Sequence, residues 1–221
     1  MVENANHGER RRHLVVANFF PAFYPPTSGG EQRYYHLYEQ ISLSFDVTLV
    51  STTYADRPEE LVEHSATFRE YRVPKHPDSD LLHWQLDQRG IGPECSGFVV
   101  ALGGALDGAF GERFRGLVKT ADAVVHESPF TVAYDTGIGR DGIPRIYNSY
   151  NVEADLARQM LRGQIGADAA VFIEDLERHL LENSALVFAT SREESEIFIR
   201  RYGVDSDKVH LAPMASMKAL C

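Results

Sequence analysis

Short apolar runs alternate with segments of helical periodicity along most of the chain. Seven runs are nearly continuous in apolar residues, as expected for strands that helices cover on both faces. They are HLVVAN (13–18), DVTLVS (46–51), FREYRV (68–73), DAVVH (122–126), PRIYNS (144–149), ALVFAT (185–190) and KVHLA (208–212). Strands that alternate with helices are typical of βαβ units, so the pattern predicts a parallel sheet.

Amphipathic helices are predicted between these strands. Two apolar stripes mark them: Tyr34, Leu37, Tyr38 and Ile41, and then Ile173, Leu176, Leu180 and Leu181. Ser191 and Glu194 form a capping box that opens a further helix, which is predicted to end at Gly203. The polar region 54–92 is predicted to hold loops and short helices. The whole pattern predicts one α/β domain with about seven parallel strands and helices on both faces.

The composition narrows the class of protein. Of 221 residues, 43% are hydrophobic and 24% charged, which are ordinary globular values and exclude a disordered or fibrous chain. A net charge of -10 argues against nucleic acid as a partner. The only dense basic run is Arg10-Arg11-Arg12, which we interpret as part of a solvated arm at 1–12; weak attraction to an anionic membrane surface is the alternative.

Cysteine use and hydropathy indicate where the chain works. Cys95 and Cys221 are its only cysteines, so no disulfide framework is expected. No stretch has the length of a transmembrane helix, and no apolar signal-peptide segment follows the N-terminal charges. The sequence therefore predicts a cytoplasmic protein, either free or at the inner face of the membrane.

The first strand leads into an unusual helix start, PPTSGGEQRYY. Ser28 and Glu31 form a capping box, which makes Gly29 and Gly30 the first two helical residues. Their amides are then unshielded by side chains and can approach an anion or a sugar hydroxyl. The equally weighted alternative is that the glycines only relieve crowding against a neighbouring loop.

Polar side chains also follow two later strands. His126 and Glu127 end one strand, and a histidine there can exchange a proton near neutral pH. The alternative is a histidine tied to backbone in a loop. Tyr150, Asn151 and Glu153 follow the next strand, where Asn151 can serve as an N-cap and Glu153 can favour the helix N-terminus.

Other motifs carry no chemistry here. A literal G-x-G-x-x-G at Gly137, Gly139 and Gly142 precedes a strand rather than a helix, so we interpret it as a turn. No zinc-protease motif, paired Cys/His spacing or G-x-S-x-G elbow occurs, and no metal site is predicted.

In order and spacing, these segments resemble the N-terminal domain of glycosyltransferase family 4, whose members are retaining transferases of GT-B fold. The resemblance runs from His13 onward through PPTSGGEQRYYHLYEQIS, FDVTLVS, ADAVVHESPF, PRIYNSYNVEADL and ENSALVFATSREESEIFIRRYG. It implies a Rossmann-like domain at 13–213 that binds the acceptor. A second domain would bind the nucleotide-sugar, which is a co-substrate, so no cofactor is implied.

The resemblance also implies roles for individual residues. Gly29 and Gly30 match the glycine loop that meets the donor phosphates and sugar, and His126 matches a histidine near the reacting sugar. Asn151 and Glu153 match an HNVE-like stretch. Glu31, Glu127, Tyr150, Ser191 and Arg192 complete the predicted binding residues. The leaving phosphate is thought to take the acceptor proton in this family, so no protein nucleophile is expected.

Two features depart from the family pattern. Tyr150 stands where many members have His, and Met214-Ala215 replaces a Pro-Asn-Gly-like linker, so 214–221 is interpreted as a truncated linker. The pair Glu174 and Glu182 has the spacing of the family's E-x7-E donor motif, but it lacks the preceding glycines and is not equated with it. We therefore expect an acceptor-binding half that is inactive alone.

Two other functions stay open at this point. A stand-alone module that binds a sugar, lipid-linked sugar or phosphate is the first, and a dinucleotide-dependent oxidoreductase is a distant second. The expected partners are a sugar or lipid-linked acceptor, together with a donor domain or a second copy at the exposed cleft face.

Overall fold

An eight-stranded sheet organises the residues that the computed structural model describes, 10–106 and 108–213. The strands are β1 (His13–Ala17), β2 (Asp46–Thr53), β3 (Glu60–Ser65), β4 (Phe68–Pro74), β5 (Ala123–His126), β6 (Arg145–Asn148), β7 (Ser184–Ala189) and β8 (Val209–Leu211). Their order is β3-β4-β2-β1-β5-β6-β7-β8, and every neighbouring pair is parallel except β3 and β4. The predicted α/β class is confirmed.

Helices connect the strands. They are α1 (Gly29–Ile41), α2 (Asp78–Gln88), α3 (Ser96–Gly103), α4 (Ala109–Val118), α5 (Glu153–Met160), α6 (Gly163–Asn183) and α7 (Arg192–Tyr202). Positions 1–9 of the predicted arm and the predicted linker at 214–221, which includes Cys221, lie outside the described residues. Of the rest of that arm, Arg10 contacts Asp122 and Arg11 contacts the Leu43 carbonyl.

The seven predicted strands are all present, and β3 is the one that sequence analysis missed. It pairs antiparallel with β4 at the edge of the sheet, within the region predicted to hold only loops and short helices. Most of its side chains are exposed. An edge strand that buries little surface needs no apolar pattern, so its sequence, ELVEHS, gives no strand signal.

The sheet has helices on both faces, as predicted. Along β1, Val15 packs in a cluster with Phe114 of α4, whereas Val16 packs in a cluster with Tyr34 and Tyr38 of α1. Successive strand residues point to opposite faces, so one short strand serves both layers of helices. β1 is therefore buried along its whole length.

The start of α7 differs in detail from its predicted capping box. Ser191 is the N-cap and accepts the Glu194 amide, and Gly203 ends the helix with φ 71°. The Glu194 carboxylate, however, bonds to the amide and hydroxyl of Thr190 rather than to Ser191. The helix bounds are confirmed, but the Glu194 carboxylate bonds to the residue before the N-cap rather than to the N-cap itself.

The order in which strands are added to the sheet reverses direction between β1 and β5. From β1 the chain moves through α1 to β2 on one side, and β5 later pairs with the other side of β1. In open parallel sheets, ligands bind in the crevice outside the carboxyl ends of the strands at such a switch point. The residues that follow β1, β5 and β6 are therefore the candidates for a binding site.

Candidate functional site

A cleft of about 410 Å³ lies at this switch point, beside the N-terminus of α1. Six of the ten predicted site residues line it: Gly30, Glu31, Glu127, Tyr150, Asn151 and Glu153. Asn18, which follows β1, and Ser128, which follows β5, also line it. Gly29, His126, Ser191 and Arg192 are not among its lining residues.

The capping box at the start of α1 is confirmed. The Ser28 hydroxyl accepts the Glu31 amide at 3.2 Å, and the Glu31 carboxylate accepts the Ser28 amide at 3.1 Å. The same carboxylate accepts the amide and hydroxyl of Thr27. These bonds, first that of the Thr27 amide, lower the pKa of Glu31, so its negative charge is fixed at the cleft rim.

Gly29 and Gly30 face open space. A Cβ atom added to either would meet no atom of the described residues within 4 Å, and neither glycine has a positive φ. No described hydrogen bond uses their amide N–H groups. Neither packing nor backbone conformation within the described residues therefore requires glycine here, which removes the crowding alternative for these residues.

Glu127 places a buried carboxylate at the floor of the cleft. Its Oε1 accepts hydrogen bonds from the Tyr38 hydroxyl and, at 2.8 Å, from the Asn148 amide. Burial raises the pKa of Glu127 above its ordinary value, and these hydrogen bonds offset the rise only in part. The group can therefore present a proton or a lone pair to a ligand.

Tyr150 is held in place by Arg33 of α1. The Arg33 guanidinium lies 4.4 Å from the centre of the Tyr150 ring and donates to the Ser149 carbonyl and the Asn148 side chain. Burial, followed by the negative charge of Glu127, raises the pKa of Tyr150. Tyr150 therefore stays protonated at physiological pH and keeps a hydroxyl that can donate.

Buried polar atoms without a hydrogen-bond partner gather at this cleft. By strict hydrogen-bond geometry there are five such side-chain atoms among the described residues: Asn18 Nδ2, Tyr34 Oη, Glu127 Oε2, Ser128 Oγ and Tyr150 Oη. Four of these residues face one another in two pairs, Tyr150 with Glu127 and Tyr34 with Asn18, whose looser contacts contribute to the pKa of each tyrosine. All but Tyr34 belong to residues that line the cleft. An unpaired buried polar atom costs about 1–3 kcal/mol, so such atoms need a ligand or ordered water.

Glu153 begins α5 and is held beside a second buried carboxylate. Glu177 of α6 accepts the Glu153 amide at 2.9 Å and the Ala154 amide at 3.3 Å, so it caps the helix that Asn151 was predicted to cap. The N-cap residue itself is Val152, one position later than predicted. Burial, followed by the charge of Glu177, raises the pKa of Glu153 to about 7.

This raised pKa predicts a pH-dependent stability. The unfolded carboxyl ionises near its ordinary value of 4.5, whereas the folded one holds its proton to about 7, so stability falls as the pH rises through that interval. The shift corresponds to about 3 kcal/mol. Buried Glu127 and Glu177, whose pKa values are also raised, act in the same direction.

We expect Glu153→Gln to reduce that loss of stability, because the cost of ionising a buried carboxyl is removed. Urea unfolding at pH 5 and pH 8 measures it, with Glu193→Gln on the exposed start of α7 as the matched control. An unchanged pH dependence in Glu153→Gln would contradict the assignment.

His126 lies away from the cleft. It is fully buried, with Nδ1 at 2.9 Å from the Thr131 hydroxyl and Nε2 at 3.0 Å from the Asp135 carboxylate. Arg145 holds Asp135 in turn, through bonds of 2.7 and 2.8 Å. Burial alone would raise the pKa of Asp135, but the bonds from Arg145 and His126 outweigh it and lower the pKa.

This geometry argues against the proton-transfer role predicted for His126. Both ring nitrogens are engaged inside the domain, by side chains rather than by the backbone contacts weighed as an alternative.

The neighbouring G-x-G-x-x-G segment forms a turn, as predicted. A Cβ at Gly137 would lie 2.1 Å from the Asp141 carboxylate that also binds Arg145.

Two predicted residues lie at the same edge of the sheet but outside the cleft lining, and Asn151 lines the cleft at its rim. Ser191 and Arg192 are exposed at the start of α7, beyond β7. Asn151 is exposed at the rim, and its carbonyl accepts the Ser149 hydroxyl. Their contact with a ligand remains a prediction.

Several cleft residues were not predicted from the sequence. Each of them lines the cleft or forms a hydrogen bond to a residue beside it; they are Asn18, Arg33, Tyr38, Ser128, Asn148 and Glu177. Glu177 carried a usable signal, since an acidic residue stands in the buried stripe that includes Ile173 and Leu180. Tyr38 carried none, because a tyrosine in an apolar stripe predicts packing alone.

The cleft is acidic. Glu31, Glu127 and Glu153 line it, and its lining includes no Lys, Arg or His.

Within residues 10–106 and 108–213, no three His, Cys, Asp or Glu side chains are grouped so that they could hold a metal ion. None of the helices in those ranges is both long enough and apolar enough to span a bilayer.

Solved glycosyltransferase structures share this architecture. Sucrose-phosphate synthase from Thermosynechococcus elongatus has a TM-score of 0.61 at 14% identity, over 92% of this chain and 48% of that one. An α,α-trehalose-phosphate synthase from Burkholderia vietnamiensis has 0.53 at 9%, over 94% and 49%. UGT89C1 from Arabidopsis thaliana, solved with UDP-L-rhamnose, has 0.53 at 16%, over 95% and 51%.

These comparisons establish a fold. The described domain has the Rossmann-like α/β fold of one half of a GT-B structure, and the chain spans about half the length of the solved chains it matches. No protein-family model matches the sequence, and no curated protein matches it. Any function of the chain therefore depends on the chemistry of the cleft.

Proposed function

We propose that this chain is the acceptor-binding, N-terminal half of a retaining glycosyltransferase. The complete enzyme would transfer a sugar from a nucleotide-sugar to a glycan, lipid or small-molecule acceptor. The domain at 13–213 would form one wall of the active site, and a donor-binding half would form the other. The resemblance to family 4 transferases and the half-GT-B fold both support this proposal.

The observation that carries it is the mixed set of polar side chains that converge on the cleft. Asn18 offers an N–H donor, Glu127 a carboxyl oxygen, and Ser128 and Tyr150 hydroxyls that both donate and accept. A sugar presents hydroxyls that match such a mixture. A phosphate carries negative charge, and the described lining supplies no cationic side chain to offset it, so the set favours a sugar ring over a phosphate in the cleft floor.

The two glycines support a role for the cleft rim. Because nothing covers Gly29 and Gly30, a ligand can approach their amides and the positive end of the α1 dipole. Diphosphate oxygens of a donor held by the other half would suit these amides, with cations of that half offsetting the fixed negative charge of Glu31 beside them. This division of the cleft refines the earlier expectation that the glycines meet both the phosphates and the sugar.

The acidic lining explains why we expect the half to be inactive alone. Stabilising a leaving diphosphate requires cations or a dense set of N–H donors, and the cleft lining supplies no cationic side chain. Arg33 lies behind the Tyr150 ring and is occupied there. The missing positive charge would come from the donor-binding half.

Sugar binding by a variant that lacks the Tyr150 hydroxyl tests the proposal. We expect Tyr150→Phe to weaken binding of glucose, mannose or N-acetylglucosamine, followed by saturation-transfer NMR. We also expect the free energy of unfolding to change by no more than about 1 kcal/mol, because the hydroxyl that is removed has no well-aligned partner beyond its contact with Glu127. Unchanged sugar binding in Tyr150→Phe, or no binding of any sugar by the parent chain, would count against the cleft.

Tyr202→Phe is the matched control. Its hydroxyl donates to Glu177 at 2.6 Å, away from the cleft lining. We expect that variant to lose about 1–3 kcal/mol of stability, since a buried carboxylate loses a partner, and to weaken sugar binding less than Tyr150→Phe does, since its hydroxyl does not line the cleft.

A stand-alone sugar-binding module is the second candidate, and the cation-free cleft favours it. The two candidates differ in turnover. We expect the purified chain alone neither to hydrolyse nor to transfer from UDP- or GDP-sugars, and transfer to appear when a donor-binding half is supplied. Turnover by the chain alone would overturn the assignment as a half enzyme, and sugar binding without transfer in the presence of a donor half would favour the module.

A further inference from the structure

A second cavity, of about 370 Å³, adjoins the cleft and has a different lining. It lies between the loop that follows β1, the ends of β2 and β4, and helices α2 to α4. Aromatic side chains dominate it, among them Phe20, Phe23, Tyr54, Phe110 and Tyr134. Its volume is within the range of small-molecule sites, about 300–1,000 Å³.

Two buried hydroxyls of this cavity already have partners. The Tyr134 hydroxyl donates to the Val100 carbonyl at 2.9 Å, and the Thr52 hydroxyl donates to the Phe19 carbonyl at 2.6 Å. None of the unpaired buried polar atoms of the described residues belongs to its lining. In contrast to the cleft, this cavity therefore presents a ligand mainly with ring faces and aliphatic surface, although the hydroxyl-bearing residues Thr53 and Ser79 also line it.

The charged side chains at the cavity also differ from those of the cleft. Among residues 10–106 and 108–213, no Asp or Glu lines it. Lys75 lies at its rim and is paired at 2.5 Å with the exposed Asp80 of α2, and Asp78 lies 3.6 Å from His76. Because the Lys75 charge is offset in this way, the described lining suits an uncharged or weakly charged ligand rather than a sugar phosphate.

The two sites are joined by three phenylalanines. Phe19, Phe20 and Phe23 line both the cavity and the cleft. A molecule whose apolar part lies in the cavity can therefore extend a hydroxyl past these rings into the cleft. We propose that the cavity binds the ring-bearing, apolar part of the acceptor, which is an alcohol or phenol of low polarity. This inference rests on the proposed function.

Calorimetry of the purified chain with 2-naphthol tests the inference. We expect 2-naphthol to bind and glucose 6-phosphate not to compete with it. Ala109→Trp, at an exposed position of the lining, should fill the cavity, and Tyr54→Ala should remove one aromatic wall; each should weaken 2-naphthol binding by about tenfold or more.

Two control variants keep the same chemistry outside the cavity. Ala167→Trp adds a tryptophan at an exposed position of α6, and Tyr24→Ala removes a tyrosine that is 70% exposed, compared with 68% for Tyr54. Both should bind 2-naphthol like the parent chain. Binding that is equal in all four variants, or no binding at all, would overturn the assignment of the cavity.

The outcome for the cavity is separable from the outcome for the cleft. If 2-naphthol fails to bind while sugars bind and Tyr150→Phe weakens them, the acceptor class is wrong and the proposed function stands. If 2-naphthol binds but no sugar does, the proposed function fails, and the acceptor role of the cavity fails with it.

Discussion

Replacing Gly30 with leucine is expected to leave the domain folded and to abolish its function. A Cβ at this position meets no atom of the described residues within 4 Å, and leucine is a better helix former than glycine by up to about 1 kcal/mol, so stability should hold or rise slightly. The same side chain would cover the free amides at the cleft rim. We expect sugar transfer, in an enzyme reconstituted with a donor half, to fall at least about 100-fold.

Gly116→Leu provides the control for this change. Gly116 is also helical, in α4, and also has open space around its Cβ position, but it does not line the cleft. It should match Gly30→Leu in unfolding experiments and the parent chain in transfer. If Gly30→Leu unfolds the domain, the glycine is a packing residue; if transfer persists, the free amides have no part in it.

Arg145→Met is expected to be the most destabilising single change in the domain. Arg145 is only 1% exposed and binds both Asp135 and Asp141. Its removal leaves the buried Asp135 carboxylate beside His126 without its cation. Breaking a buried ion pair in this way typically costs about 3–5 kcal/mol, which urea unfolding at pH 7 measures.

The control here is Arg158→Met on α5. Arg158 pairs with Asp155 and Glu174 but is largely solvated, so its loss should cost less than about 1 kcal/mol. Adding Asp135→Asn to Arg145→Met should restore part of the stability, because the uncompensated charge is gone. A loss below 1 kcal/mol in Arg145→Met would mean that the network is not structural, and it would reopen a chemical role for His126.

The comparison of His126 with Glu127 shows what a sequence of this kind can and cannot predict. Strand alternation turns neighbouring side chains to opposite faces, so only one of the two could face the cleft. Both residues were correctly predicted to lie at the carboxyl end of a strand, because the apolar run ends there. It could not tell which face of the sheet the cleft would use, since both faces of β5 are buried.

The start of α1 was predictable in full, because a capping box is a local feature. Ser28 and Glu31 depend only on each other and on Thr27, so their spacing was enough. The partners of Glu127 were not predictable, because Tyr38 and Asn148 reach it from distant parts of the chain. Hydrogen bonds between residues that are close in the chain can be predicted from their spacing, whereas contacts between residues from distant parts of the chain depend on the tertiary fold.

The carboxylate of Glu177 gives the cleft two walls of unequal stiffness. From α6 it binds the start of α5, Tyr147 of β6 and Tyr202 of α7, so the wall that carries Tyr150 and Glu153 is fastened to three elements. On the opposite wall, no described hydrogen bond involves residues 23–26. Segments with few such bonds open at the lowest free-energy cost. In the proposed enzyme, entry and exit of a substrate would therefore be controlled from the side of the phenylalanine-rich loop, while the side chains proposed to bind the sugar keep their positions.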